Sequence, residues 1–189
     1  MELRIQKLTK EMSGDYLSYF DYVAFTDHEE WSACYCLESH LKKEEEERYK
    51  TKEERRQKAK VLIENGTMQG YLIYENENIV GWCNTGDKMN YIPICENEEF
   101  ITDYREKGKI KVLYCIDIAP SYRGKGIANQ IMKKVCEDAK VEGYLIVEGF
   151  PFKDTNLPYQ YRGPIHLYEK HGFEKHKEGP WYYIMRKEL

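Results

Sequence analysis

The 189-residue sequence predicts an α/β domain in which helices pack on a mixed sheet. Three observations predict it. Residues 112–118, 127–140 and 144–150 read as an apolar strand, an amphipathic helix and a second apolar strand, a β-α-β unit. Two further pairs of strand-like runs, 70–74 with 79–84 and 173–177 with 181–186, are joined by turn-forming residues. The chain is also long enough for one domain with a substantial buried core.

The elements follow in order. Residues 3–8 alternate apolar and polar side chains, the pattern of a short half-buried strand. Ser13-Gly14-Asp15 leads into Tyr16, Leu17, Tyr19, Phe20 and Val23, apolar at helical spacing. Residues 28–41 carry Cys34 and Cys36 and read as a helix or an irregular loop. From 42 to 60 the chain is dense in charge, with Glu46/Lys50 and Glu54/Lys58 four apart in the favourable order. Thr51 and Glu54 have capping-box spacing, and Asn65-Gly66 is a stop, so this run is a solvated helix face. Glu75-Asn76-Glu77-Asn78 turns the first hairpin, and residues 86–110 are a less regular polar segment. Within the strand at 112–118, residues 112–116 are apolar on both faces and so buried. The following helix carries one apolar stripe: Ile127, Ile131, Val135 and Ala139, with Met132 and Cys136 beside them. Gly143 stops it, and Glu178-Gly179-Pro180 turns the closing hairpin.

The junction of that strand and helix carries the chemistry. Gly124 and Gly126 sit where the helix begins. The first N–H groups of a helix have no intrahelical partner, and its dipole adds positive potential there. Glycines leave the backbone open to close approach, so strand, turn and helix start make a phosphate cradle. Spacing excludes two common cradles. A dinucleotide fingerprint needs a third glycine where Asn129 stands, and a P-loop needs four residues between its glycines and a terminal Lys-Ser/Thr pair.

What stands here is Arg123-x-x-Gly126-x-Ala128, preceded by Ile118-Ala119-Pro120. It resembles the pyrophosphate-binding motif of the GNAT superfamily, the acyl-CoA-dependent N-acyltransferases. A second signature lies downstream: Leu167-Tyr168-Glu169-Lys170-His171-Gly172-Phe173 is similar to a segment near the C-terminus of many of its members. The resemblance covers about residues 70–187 and implies the GNAT fold, a mixed, mostly antiparallel central sheet splayed in the middle and flanked by helices. The segments 71–74, 80–83, 148–151 and 161–164, with cysteines upstream, resemble one bacterial branch, which supplies no substrate to carry over.

The resemblance implies acetyl-CoA as cosubstrate and an amine, small-molecule or peptide, as acceptor. Backbone amides of Gly124, Lys125, Gly126, Ile127 and Ala128 would hold the pyrophosphate, with charge from Arg123 and Lys125. The backbone of Ile116 and Ile118 would pair with the pantetheine amides as an added strand. Tyr168 occupies the position of the family's general acid for the leaving thiolate, a reasonable role for a phenol of pKa about 10. No general base transfers by motif. Asp117, a carboxylate in an apolar strand directly before the cradle, is the sharpest candidate, since burial raises its pKa. The competing reading is that it only accepts a hydrogen bond from the loop; Glu148, His166 and a water chain are further options. The sequence also departs from the family pattern, with Tyr161 and Pro164 where many members carry Asn-x-x-Ala against the pantetheine arm.

Composition narrows the classes. The net charge of −4 argues against a nucleic-acid footprint, and seventeen tyrosines with three tryptophans argue against disorder. No apolar run approaches the ~20 residues that span a bilayer, and Met1-Glu2-Leu3-Arg4 does not open a signal peptide, so the expected compartment is the cytosol, without membrane attachment. Six cysteines then read as thiols. Cys34-Tyr35-Cys36 is neither a Cys-x-x-Cys redox pair nor a usual zinc half-site, so no metal is expected. Dimers are common in the family, which leaves a homodimer open. Two rival functions remain at this point: a non-catalytic CoA-binding sensor or interaction module, and a thiol-based redox or metal protein built on Cys34, Cys36 and Cys83.

Overall fold

Short extended runs separated by turn residues give seven strands in the computed structural model, which describes residues 2–96, 109–158 and 160–189. They are β1 (Leu3–Lys7), β2 (Gly70–Glu75), β3 (Asn78–Asp87), β4 (Ile110–Ile118), β5 (Ile146–Gly149), β6 (Glu174–Glu178) and β7 (Tyr183–Glu188). The α-helices among the described residues are α1 (Ser13–Tyr22), α2 (Lys43–Glu46), α3 (Lys52–Glu64), α4 (Ile92–Cys95), α5 (Ile127–Val141) and α6 (Ile165–Lys170). One sheet runs β1-β2-β3-β4-β5-β7-β6. Every neighbouring pair is antiparallel except β4 and β5, which α5 joins in parallel.

The β4–β5 pairing decides where a ligand can enter. It runs only from Ile110↔Ile146 to Leu113↔Gly149, so residues 114–118 of β4 leave β5 and the sheet splays there. The β3–β4 ladder continues to Gly81↔Ile118, so β4 stays supported on its other side.

Side-chain periodicity sets the two layers. α5 buries Ile127, Ile131, Met132, Val135, Cys136 and Ala139 against one face of the sheet. α1 buries Tyr16, Leu17, Tyr19 and Phe20 against the other, where α3 joins it through Ala59, Leu62 and Ile63. The expected capping box closes both ways between Thr51 and Glu54. Residues 28–41 are irregular, with single 3-10 turns at Glu29–Trp31 and Leu37–Ser39. The first hairpin turns at Asn76, whose φ of 54° suits asparagine better than a branched residue. β3 continues to Asp87, past the expected end, because a register shift at Asn84/Thr85 keeps it paired with β4. The polar segment expected over 86–110 therefore contains a 3-10 turn at Lys88–Asn90 and α4, while 97–108 lie outside the described residues. Among the described residues no helix is long and apolar enough to cross a membrane.

Candidate active site

The splay of β4 opens into a cavity of about 870 Å³. Ile116, Asp117, Ile118, Arg123 and Ala128, all singled out in the sequence, line it. So do Cys34 and Cys36 from the irregular segment, Tyr161 and Pro164 from the segment before α6, and Cys115.

The cradle forms as its composition requires. Gly124 and Gly126 adopt φ of 74° and 80°, and Gly126 is the N-cap of α5. A Cβ at either position would meet nothing within 4 Å. The N–H groups of residues 124–128 make no hydrogen bond to a described residue, and the first turn of α5 carries no acidic side chain. Consecutive unpaired N–H groups at a helix start are a site for an anion. Lys125 is exposed, its Nζ 4.7 Å from the centre of the Tyr122 ring.

Arg123 is placed differently from the expectation that it adds charge to the cradle. Its Nε donates to the Ile118 carbonyl at 2.9 Å, and its guanidinium forms an ion pair with Asp27. Backbone and carboxylate together hold this side chain on the cavity wall. The β4 edge is also partly taken. The Ile116 N–H donates to the Tyr161 carbonyl at 2.6 Å, and the Ile118 carbonyl accepts from Arg123. At Ile116 the edge expected to pair with pantetheine is thus occupied by the segment in which Tyr161 and Pro164 depart from the family pattern.

Asp117 is 7% exposed, on the same face of β4 as Cys115 and opposite in direction to Ile116. Burial raises its pKa to about 7, against the charge of Arg123, which lowers it. Tyr19 lies close enough for each group to influence the other's protonation, and burial with Asp117 pushes its phenol well up. Yet Asp117 Oδ2 and the Tyr19 hydroxyl close no hydrogen bond of normal geometry. The loop-acceptor reading of Asp117 therefore finds no partner for Oδ2 among the described residues. The other candidate bases are elsewhere. Glu148 is 1% exposed and held by Lys88 Nζ at 2.8 Å and Arg186 at 2.5 Å, and exposed His166 does not line the cavity.

Tyr168 does not present its phenol to the cavity. It is fully buried, and its hydroxyl donates to the Arg162 carbonyl at 2.5 Å. The ring lies over Gly149, where a Cβ would stand 2.0 Å from Tyr168 Cε1. Burial pushes the phenol pKa far up. In this geometry Tyr168 holds the segment 162–164 that forms the cavity wall. Tyr168→Phe is therefore expected to cost about 1 kcal/mol of stability, the worth of one buried hydrogen bond. It should leave turnover within about threefold, whereas loss of a general acid would cost about 10²–10⁴; thermal melts beside steady-state rates separate the two. Gly149→Ala should be harsher, about 3 kcal/mol or more, because Tyr168 has no room to retreat in a packed core. Urea unfolding measures it.

Sequence reasoning missed Cys115 and Tyr19 as neighbours of Asp117. Cys115 was legible, since residues two apart on a strand share a face; Tyr19 comes from a helix distant in sequence. Among the described residues, no group of three His, Cys, Asp or Glu side chains is arranged to hold a metal ion.

The family model for the acetyltransferase (GNAT) family matches residues 25–173. The chain belongs to that family. No curated protein matches it. Solved GNAT-fold structures do. The PaiA N-acetyltransferase of Thermoplasma acidophilum, in complex with coenzyme A, is 14% identical with a TM-score of 0.57, over 100% of both chains. A GNAT-family acetyltransferase from Streptococcus pneumoniae is 17% identical with a TM-score of 0.56, over 100% of this chain and 99% of that one. A Drosophila melanogaster polyamine N-acetyltransferase, which forms N-acetylagmatine, is 8% identical with a TM-score of 0.59, over 100% and 99%. At these identities the likeness establishes the fold. As a GNAT acetyltransferase the protein moves an acetyl group, and acetyl-CoA is the family's cosubstrate. The glycine cradle at the start of α5 fits the diphosphate of that molecule.

Proposed function

We propose that the protein transfers the acetyl group of acetyl-CoA directly to a primary amine, of a small molecule or a peptide. One observation carries this reading: a single cavity runs from the cradle end, at Ala128, to a buried carboxylate, Asp117, one of whose oxygens has no partner among the described residues. The cradle N–H groups of residues 124–128 hold the diphosphate, with Lys125 adding charge at the rim. Ile116 and Ile118 align the pantetheine arm by their backbone, which requires the Tyr161 carbonyl to release the Ile116 N–H. Asp117, with a pKa of about 7, takes the proton of the acceptor ammonium and leaves the neutral amine to attack the thioester. Holding both reactants in one cavity supplies several kcal/mol of the barrier reduction. No side chain is assigned to protonate the leaving thiolate. An alkyl thiol with a pKa near the cysteine value of about 8.5 leaves without a dedicated acid more readily than an alkoxide does.

Thiol release from acetyl-CoA, followed against a panel of primary amines with the N-acetyl product identified by mass, tests the proposal. Amine-dependent release is expected. Binding of CoA without release across the panel would replace it with the sensor or interaction-module reading.

A further inference from the structure

The turn that carries Cys34 and Cys36 is held in a conformation its residues do not favour. Tyr35 and Cys36 have φ of 43° and 49°, two successive non-glycine residues in the left-handed region. Such backbone persists only where its surroundings over-determine it. Here four consecutive carbonyls are each pinned. The Ala33 carbonyl accepts from Arg55 Nε at 2.5 Å and the Cys34 carbonyl from Arg55 Nη2 and the Leu37 N–H, both at 3.3 Å. The Tyr35 carbonyl accepts from the Tyr16 hydroxyl at 2.8 Å, and the Cys36 carbonyl from Ser39 Oγ at 2.9 Å. The Tyr35 hydroxyl is itself fastened to Asp21 at 2.5 Å.

What the strained turn accomplishes is the placement of sulfur. Cys34 and Cys36 are the first and third residues of the turn that the Leu37 N–H closes on the Cys34 carbonyl, and both line the wall of the cavity that holds Asp117. Cys115 lines the same wall, and the three thiols are near enough for each to influence its neighbour's protonation. All three are free thiols. Cys34 is part-exposed, while Cys36 and Cys115 are buried behind it. Cys83, which the sequence grouped with this pair, packs on the opposite side of the sheet.

We infer that Cys34 and Cys36 form a two-electron oxidation site in the acceptor cavity, closed by a peroxide to an intramolecular disulfide. The peroxide oxidises the Cys34 thiol to a sulfenic acid and is itself reduced to water or an alcohol. The Cys36 sulfur then attacks the Cys34 sulfur; the S–S bond forms, the S–O bond breaks, and hydroxide leaves with the Cys36 thiol proton as water. A dithiol reductant reverses the bond by exchange. The neighbouring thiol and burial push the Cys34 pKa up, so the thiolate is scarce and the oxidation slow at neutral pH. The bond would draw Cys36 away from Cys115 and move the wall beside Asp117. The effect on turnover rests on the acetyltransferase reading; formation of the disulfide does not.

The full reduced chain, treated with a small molar excess of hydrogen peroxide, alkylated and digested with trypsin, tests this directly. Cys34 and Cys36 share the fragment 11–42, and Cys115 falls in another. The fragment 11–42 is expected to lose the mass of two hydrogens and to resist alkylation until reduced, and in Cys34→Ser it should not. Acetyl transfer should drop by roughly tenfold or more on oxidation and return with dithiothreitol. Two thiols in 11–42 that both remain open to alkylation would overturn the inference, as would a cross-link from that fragment to the one with Cys115. Because the readout is mass, it stands whether or not any amine in the panel is acetylated.

Discussion

Replacing Asp117 with Asn is expected to lower kcat/KM by a factor of about 10²–10⁴, the usual worth of a positioned general base. The isosteric amide keeps the shape of the cavity and removes only the proton acceptor. The wild-type profile should rise with pH through about 7, where the buried carboxyl loses its proton, and then level off. The Asn variant should lack that acidic limb. A profile that keeps its limb near pH 7 in the variant would place the base elsewhere.

The same substitution makes an opposite prediction for stability. The folded pKa of about 7 stands above the ~3.9 of an unfolded aspartate, so the folded state holds this proton more tightly. The stability it contributes is full below about pH 4, declines as pH rises, and is gone above about pH 7. At pH 8 the buried carboxylate costs the fold about 4 kcal/mol relative to pH 4. Asp117→Asn removes that cost, so the variant should melt higher than wild type at pH 8 and near the same temperature at pH 4. An active-site carboxylate that destabilises its own fold is the expected trade between function and stability. A residue kept only for structure would show the reverse.

The parts of this molecule that could be read from sequence are those set by local pattern. The α5 stripe, the Thr51/Glu54 box and the Asn76 turn each depend on residues within a few positions, and each formed. The cradle was legible for the same reason, since Gly124 and Gly126 fix backbone conformation where they stand. Side-chain commitments made across the fold were not legible. Arg123 meets Asp27, and Tyr161 closes the edge at Ile116, through contacts that no spacing rule relates. For Tyr168 the motif named the residue, but its burial depends on Gly149, a missing side chain on a different strand. The thiol site shows both limits at once. Cys34 and Cys36 stood out by proximity, yet sharing a cavity wall with Cys115 required the left-handed turn and the end of β4.

The largest binding effect is expected at Gly126, and α5 supplies its own control. Gly126 and Gly143 stand at opposite ends of the helix with φ of 80° and 76°, and a Cβ at either meets nothing within 4 Å. An alanine at each position therefore carries the same conformational penalty, about 1–2 kcal/mol for a left-handed residue, and no steric clash. Their stabilities should fall together. Their surroundings differ in what lies outside the helix. At the N-terminus the unpaired N–H groups and the positive end of the dipole face an approaching anion; at the C-terminus the Gly143 N–H already donates to Lys140 and the dipole is negative. A methyl group at 126 holds the diphosphate off those N–H groups and should weaken CoA binding by about 10–100-fold, or 1.4–2.7 kcal/mol. Gly143→Ala should leave it unchanged. Titration calorimetry of the two variants with CoA, read beside their melting curves, separates the loss of an anion site from the cost of a strained residue. If Gly126→Ala bound CoA as wild type does, the N–H groups of 124–128 would not be the diphosphate site.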